Sequence, residues 1–264
     1  MPAPDEGPEP SEAALPGTPF ADLLTRARRA ARTGLGLGAA PLAGAARLIS
    51  LDALTVSAVA HDGHLELLWS DPPRGLGPDL DDLQYVLGEG PTLEAVHQSH
   101  SVLVPDLTSM DPTRWPTFLT AVDGVTDVAV RGVMAAPLEL GAATVGVLTG
   151  YATTPTPLAP GQLHDFHCLG RVLLLLLLHQ TAPATANNHG DVTANNHGDG
   201  NGGGIHLYRA EVHQATGFVA HRLGIPLDQA LTRLRTHAAT HDRPLSDLVH
   251  AVLTRRLSPE DLGL

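Results

Sequence analysis

The sequence predicts two folded units: an α+β domain on an antiparallel sheet, then a small all-α domain of three helices. Three observations carry this reading. Between residues 45 and 180 several strand-like runs adjoin in sequence, which favours hairpins over parallel crossovers. Residues 181–204 contain TANNHGD at 185–191 and again at 193–199, then close on GNGGG. Such a stretch has nothing with which to build a core and reads as a flexible linker. Residues 205–264 show three runs of apolar positions spaced three and four apart.

Residues 1–44 are an N-terminal extension. Its first 19 residues are rich in Pro, Glu and Gly and are expected to be disordered. Residues 20–32 read as a short amphipathic helix.

In the 45–180 domain, LDALTVSAVA alternates and is β-branched, so it reads as a strand. HDG at 61–63 turns it into a second strand, HLELLWS. LDDLQYVLG and PTLEAVHQSH read as helices, SVLVPDL as a strand, and residues 115–122 as a helix. VRGVMAAPLEL and GAATVGVLTGYA read as two strands joined by a tight glycine turn. Residues 157–179 begin as a loop and continue as a helix, whose run VLLLLLL must be buried or paired.

In the 205–264 domain the first helix carries Tyr208, Val212, Ala215, Val219 and Leu223 and stops at Gly224. The second places Leu227, Ala230, Leu231, Leu234 and Ala238 on one face, with Asp228 in its first turn. The third enters through Pro244 and carries Leu245, Leu248, Val249, Val252 and Leu257. Three short helices make a marginal core, so dimerisation through the first helix would help.

Composition narrows the function. The chain has 264 residues and a net charge of −12. A strongly acidic chain does not bind nucleic acid or anionic membranes with its whole surface. The charge is uneven, however: four Arg face fifteen acids over 51–180, but seven Arg face six acids over 205–264. The sole cysteine, Cys168, excludes a disulfide framework and a Cys-based zinc site. The N-terminus lacks the features of a signal peptide. The longest apolar run has seven residues, 172–178, where a membrane helix needs about 20. A cytoplasmic protein without a membrane partner is expected.

Catalytic and metal motifs are missing. There is no P-loop, dinucleotide fingerprint, nucleophile elbow or HExxH, so no enzyme is expected. His189 and His197 belong to the repeated linker and read as its by-product. His237 and His241 stand four apart on one helix but lack a third ligand. HDFHC at 164–168 reads as part of a helix with a core face. Neither metal nor cofactor is expected.

Two stretches carry a family likeness. Residues 209–253 resemble the ANTAR domain, the RNA-binding module of transcription antitermination regulators. The matching positions are Arg209, Val212, Ala215, Gly217, Leu223, Gly224, Ala230, Leu234, Arg235, Ala238, Leu245 and Asp247. Thr216 stands where the family commonly has Lys, which removes a charge able to reach phosphate. Pro226 replaces a Ser or Thr cap, and Val249 a small Ala. Residues 83–107, DPTRWPTF at 111–118 and residues 132–151 are similar to a GAF domain of the type found ahead of ANTAR in actinobacterial proteins. GEGP at 88–91 is their most specific motif, followed here by Thr92 where many relatives have Cys.

These resemblances imply a GAF sensor followed by a three-helix RNA-binding module. The module would bind nascent transcript hairpins and favour an antiterminator over a terminator. The candidate RNA contacts are Arg209, His213, Thr216, Arg235, His241 and Arg243. Arginines would reach phosphates or stack on bases, and the polar side chains would meet base edges. With Tyr208 and Phe218 the only aromatics in the module, an aromatic stacking platform is not expected. The partners implied are RNA, a small molecule or protein at the GAF domain, and a second copy of the chain; the ligand itself is unreadable. A glycine-rich linker cannot act as a lever, so coupling is expected through occlusion or dimer population. Two rival readings remain. One is a ligand-binding GAF protein with a vestigial ANTAR domain. The other is a DNA-binding regulator, which the weak positive charge disfavours.

Overall fold

The computed structural model describes residues 18–60, 64–125, 128–156, 159–180, 202–241, 243 and 245–262. The expectations for residues 1–17 and for the 185–199 repeat lie outside the described residues.

Five strands form one sheet: β1 (Ala53–Val59), β2 (Leu65–Asp71), β3 (Val102–Val104), β4 (Gly132–Leu140) and β5 (Ala143–Ala152). Their spatial order is β2-β1-β5-β4-β3, and every neighbouring pair is antiparallel. The α+β expectation therefore holds. The hairpin β4–β5 turns through Gly141, at φ 66°. Both sheet faces are covered, as the strand alternation shows. Val133 and Ala135 face one core, and Met134 and Ala136 face the other.

One core lies beneath α1 (Pro19–Arg32), the four-residue α2 (Ala45–Leu48) and α6 (Pro160–Gln180). The helix predicted within the N-terminal extension is thus built into the sheet domain. Phe20, Leu23, Ala27 and Ala31 of α1 are buried and belong to the same cluster as α6. Thr18 caps α1 by accepting from Ala21 N–H, and Pro19 opens its first turn. The short α2 was not anticipated. The Asp71 carboxylate holds it by accepting from the Gly44 and Ala46 N–H groups at 3.1 and 2.9 Å.

The leucine run of α6 is explained by burial. Phe166, Leu169, Val172, Leu173, Leu176 and Leu177 face the sheet, while Leu175 is 47% exposed. Among the described residues no helix is long and apolar enough to cross a membrane.

The second face is covered by α3 (Leu76–Leu87), α4 (Pro91–Gln98) and α5 (Pro116–Val125). Gly77 lets α3 sit close on the sheet: a Cβ there would lie 3.0 Å from the Thr55 methyl group.

Three further helices, α7 (Gly202–Leu223), α8 (Leu227–Thr240) and α9 (Leu245–Leu253), pack around a third core. The backbone helix of α7 begins at Gly202, inside the stretch read as linker. Gly224, at φ 64°, ends it. Val212, Ala215, Val219, Leu234, Leu248 and Val252 are fully buried. The cluster also contains Tyr85, which belongs to α3.

Leu173→Ala should cost about 2–5 kcal/mol by leaving a cavity. Leu175→Ala should stay within about 0.5 kcal/mol of the parent. Urea denaturation followed by circular dichroism measures both.

Candidate functional site

Helix α3 has two working sides. One side meets a buried polar cluster on the sheet. Thr55, Ser57 and Thr149 lie on the α3 face of β1 and β5 and are buried. Ser57 Oγ donates to Asp81 Oδ1 at 2.8 Å. Gln84 Nε2 donates to the Tyr151 hydroxyl at 2.9 Å and to the Leu80 carbonyl at 3.2 Å. The Gln84 side-chain oxygen accepts from Thr92 N–H at 2.8 Å, and the Thr92 and Thr149 hydroxyls are 3.0 Å apart. Burial, reinforced by the negative charge of Asp81, pushes the Tyr151 phenol well above its usual pKa. It is therefore a neutral donor and acceptor throughout the physiological range.

This cluster organises the GEGP loop. Gly90 sits at φ 133°, and a Cβ there would lie 2.6 Å from Gln84 Cγ and Oε1. The Glu89 carboxylate accepts from Phe118 N–H at 2.6 Å, at the start of α5. Glu94 binds Arg114 through two contacts, at 3.1 and 2.5 Å, and accepts from Trp115 Nε1 at 2.9 Å. Those bonds to Arg114 hold the Glu94 carboxyl below its ordinary pKa.

The other side of α3 meets the C-terminal helices. The Tyr85 ring stacks on His213 with centroids 4.7 Å apart, and its hydroxyl lies 3.1 Å from His213 Nδ1. His64 meets the His213 ring edge-on at 5.6 Å. Arg235 donates through Nη2 to the Tyr85 carbonyl, and its guanidinium carbon lies 5.7 Å from the Tyr85 ring centre. Gly88 ends α3 in the left-handed region, φ 72°, and a Cβ there would meet Arg235 Nε at 2.9 Å. The GEGP loop and the Leu-Arg step of the C-terminal helices are therefore in direct contact. Arg235 Nε is buried without an acceptor. Burial lowers the Arg235 pKa, partly offset by Tyr85.

The six candidate contacts fall into three groups. His213 and Arg235 lie in the contact with α3. Thr216 is only 5% exposed, and its hydroxyl donates to the Val212 carbonyl at 2.6 Å within its own helix. Of these three, Thr216 is covered by the helix core and Arg235 is half-buried against α3, while His213 stays exposed beside Tyr85. His241 and Arg243 are exposed. The Arg209 backbone lies in α7, and its side chain is outside the described residues. The six do not form one surface here.

His237 and His241 stack at 4.0 Å. His237 is held below its ordinary pKa, chiefly by burial and then by the positive fields of His241 and Arg243, with Asp261 opposing. Among the described residues no three ligating side chains converge on a metal position. Cys168 Sγ lies 3.4 Å from His164 Nε2 on α6. Sequence reasoning missed Tyr85 and Gly88 as contact residues. The only signal was the αL-prone glycine ending α3, which is equally consistent with an ordinary helix stop.

No family model and no curated protein matches the chain. Several solved structures are similar to it. The GAF domain of an Acinetobacter phosphoenolpyruvate-protein phosphotransferase is 14% identical, with 66% of this chain and 97% of that one covered, at a TM-score of 0.45. The third GAF domain of a Synechocystis protein is 18% identical, covering 61% and 94%, at 0.39. A free methionine-R-sulfoxide reductase from Neisseria meningitidis is 15% identical, covering 61% and 87%, at 0.41. Likenesses at this level speak for neither a shared activity nor a shared ligand.

Gly88→Ala should strain the left-handed helix end by about 1–2 kcal/mol and press on Arg235. Amide hydrogen exchange should quicken in α7 and α8 and stay unchanged in α6. Arg243→Ala should raise the His237 pKa, read by NMR titration of its ring protons. Since a depressed histidine pKa means that protonation opposes folding, the same variant should lose less stability as pH falls below about 6.5.

Proposed function

We propose that the chain is a signal-responsive regulator: a sheet-based sensor of GAF type holds a C-terminal three-helix module that binds RNA hairpins. The observation that carries this reading is the contact of Tyr85 and Gly88 with His213 and Arg235. It joins the most specific motif of the first resemblance to a matching position of the second. Arg235 is half-buried against the sheet domain, which supports coupling by occlusion.

Helix α3 is the natural relay. Gln84 faces the buried polar cluster and its neighbour Tyr85 faces the module. A ligand or partner that shifts α3 changes both sides at once. Release need not be large in energy, because apparent affinity scales with the fraction of molecules already undocked. RNA bound by the freed module would then favour one transcript hairpin over its competitor.

A second reading has its own support. Thr216 replaces a family Lys, and its hydroxyl bonds the helix backbone. On that reading the module serves the sensor as a structural partner and binds no RNA.

Binding of a hairpin pool with randomised loops, measured by filter retention, separates the two. Tyr85→Ala removes the docking ring while every candidate RNA residue keeps its own side chain. It should tighten hairpin binding by about fivefold or more, the scale of ordinary site-to-site coupling. Equal affinities in parent and variant would remove the occlusion. Binding in neither would favour the structural reading.

A further inference from the structure

The C-terminal helices carry a second basic surface, away from the sensor contact. Two clefts lie side by side there. Phe218 and Arg222 of α7, with Arg255 and Leu257 beyond α9, line one of about 290 Å3. Arg243, His250, Arg256 and Leu257 line the other, of about 380 Å3, where Asp247 is the carboxylate. Leu257 is the wall they share. Four of the seven arginines of residues 205–264 thus gather at these clefts in a chain of net charge −12. A local basic patch on an acidic protein marks where a polyanion is meant to bind.

The turn that builds the shared wall is unusual. Arg255 adopts φ 57°, the left-handed region that glycine favours. The Arg256 N–H bonds the Ala251 carbonyl at 2.8 Å, closing the end of α9 around Arg255. At the end of α7 the same conformation, φ 64°, is taken by Gly224. An arginine in a glycine position gives up backbone ease and gains only a side chain. Here that side chain enters one cleft, and its neighbour Arg256 enters the other.

The clefts do not compete with docking. At about 100° per residue, Phe218 and Arg222 lie roughly 140° and 180° around α7 from His213. Their side of the helix stays open while His213 faces Tyr85. Arg222 is paired with Glu260 at 3.2 Å, but both side chains are more than half exposed, so the pair is weak and exchangeable.

We propose that these clefts bind the single-stranded loop of an RNA hairpin and remain open in the docked state. Arg255 and Arg256 take successive phosphates on either side of Leu257, and Phe218 seats one base. Each cleft volume is on the scale of a single nucleotide unit. This rests on the RNA-binding reading above. The sensor-covered side of α7 then adds contacts only after release, so docking tunes affinity without abolishing it.

The test uses the full chain and the randomised-loop hairpin pool at two salt concentrations, with duplex DNA as the competing probe. Arg255→Gly suits the turn better than the parent residue, so its melting temperature should hold or rise. It should nevertheless weaken hairpin binding about tenfold and reduce the salt slope by about 0.7. Arg256→Gln should weaken binding similarly. Parent-like binding and salt slope in both variants, with the parent binding RNA, would overturn this assignment while leaving the RNA reading intact. So would hairpin binding seen only with Tyr85→Ala, since the surface would then be closed or unused in the docked state. Duplex DNA bound as tightly as hairpins would also overturn it. No hairpin binding by the parent or by Tyr85→Ala would remove the RNA reading, and this assignment with it.

Discussion

The placement of Tyr85 is the interaction on which the arrangement depends. The residue belongs by sequence to a helix of the sheet domain, yet its ring completes the core of the C-terminal helices. Three helices of nine to 22 residues bury little apolar surface by themselves. A tyrosine from outside supplies ring area for that core and a hydroxyl for His213. The contact also explains a buried guanidinium. Arg235 is tolerated there because the Tyr85 carbonyl accepts one of its donors and the ring faces its positive charge. The orphaned Nε keeps the contact from being a deep energy minimum.

Two neighbouring residues give α3 its double role. Positions 84 and 85 are about 100° apart on the helix, so one addresses the sheet and the other the C-terminal helices. Gln84 is held by three hydrogen bonds that also fix the GEGP loop. Gly88 then ends the helix where Arg235 passes. Loop, helix end and docking contact therefore share the same few atoms. A disturbance in the buried polar cluster has a short route to the contact.

The C-terminal helices carry two separate basic sets. His213 and Arg235 sit where the sheet domain reaches them. Arg222, Arg243, Arg255 and Arg256 sit where it does not. The left-handed Arg255 shows that local backbone preference was overruled at the wall between the clefts.

Much of this was legible in the sequence. Alternation placed the strands because a sheet covered on both faces still sends neighbouring residues to opposite cores, as Val133 and Met134 do. The three-and-four spacing of Val212, Ala215 and Val219 marked a helix with a buried stripe. The VLLLLLL run required burial, and its length ruled out a membrane helix. These properties are local and periodic, so the order of residues determines them. Tertiary structure alone decided three others. It placed α1 in the core of the sheet domain, since an amphipathic helix does not name the surface it covers. It buried Thr216 and half-buried Arg235, since exposure depends on what packs against a face and not on the residue type. It also brought Arg222 beside Arg255, 33 positions later, because only the packing of α7 against α9 makes them neighbours.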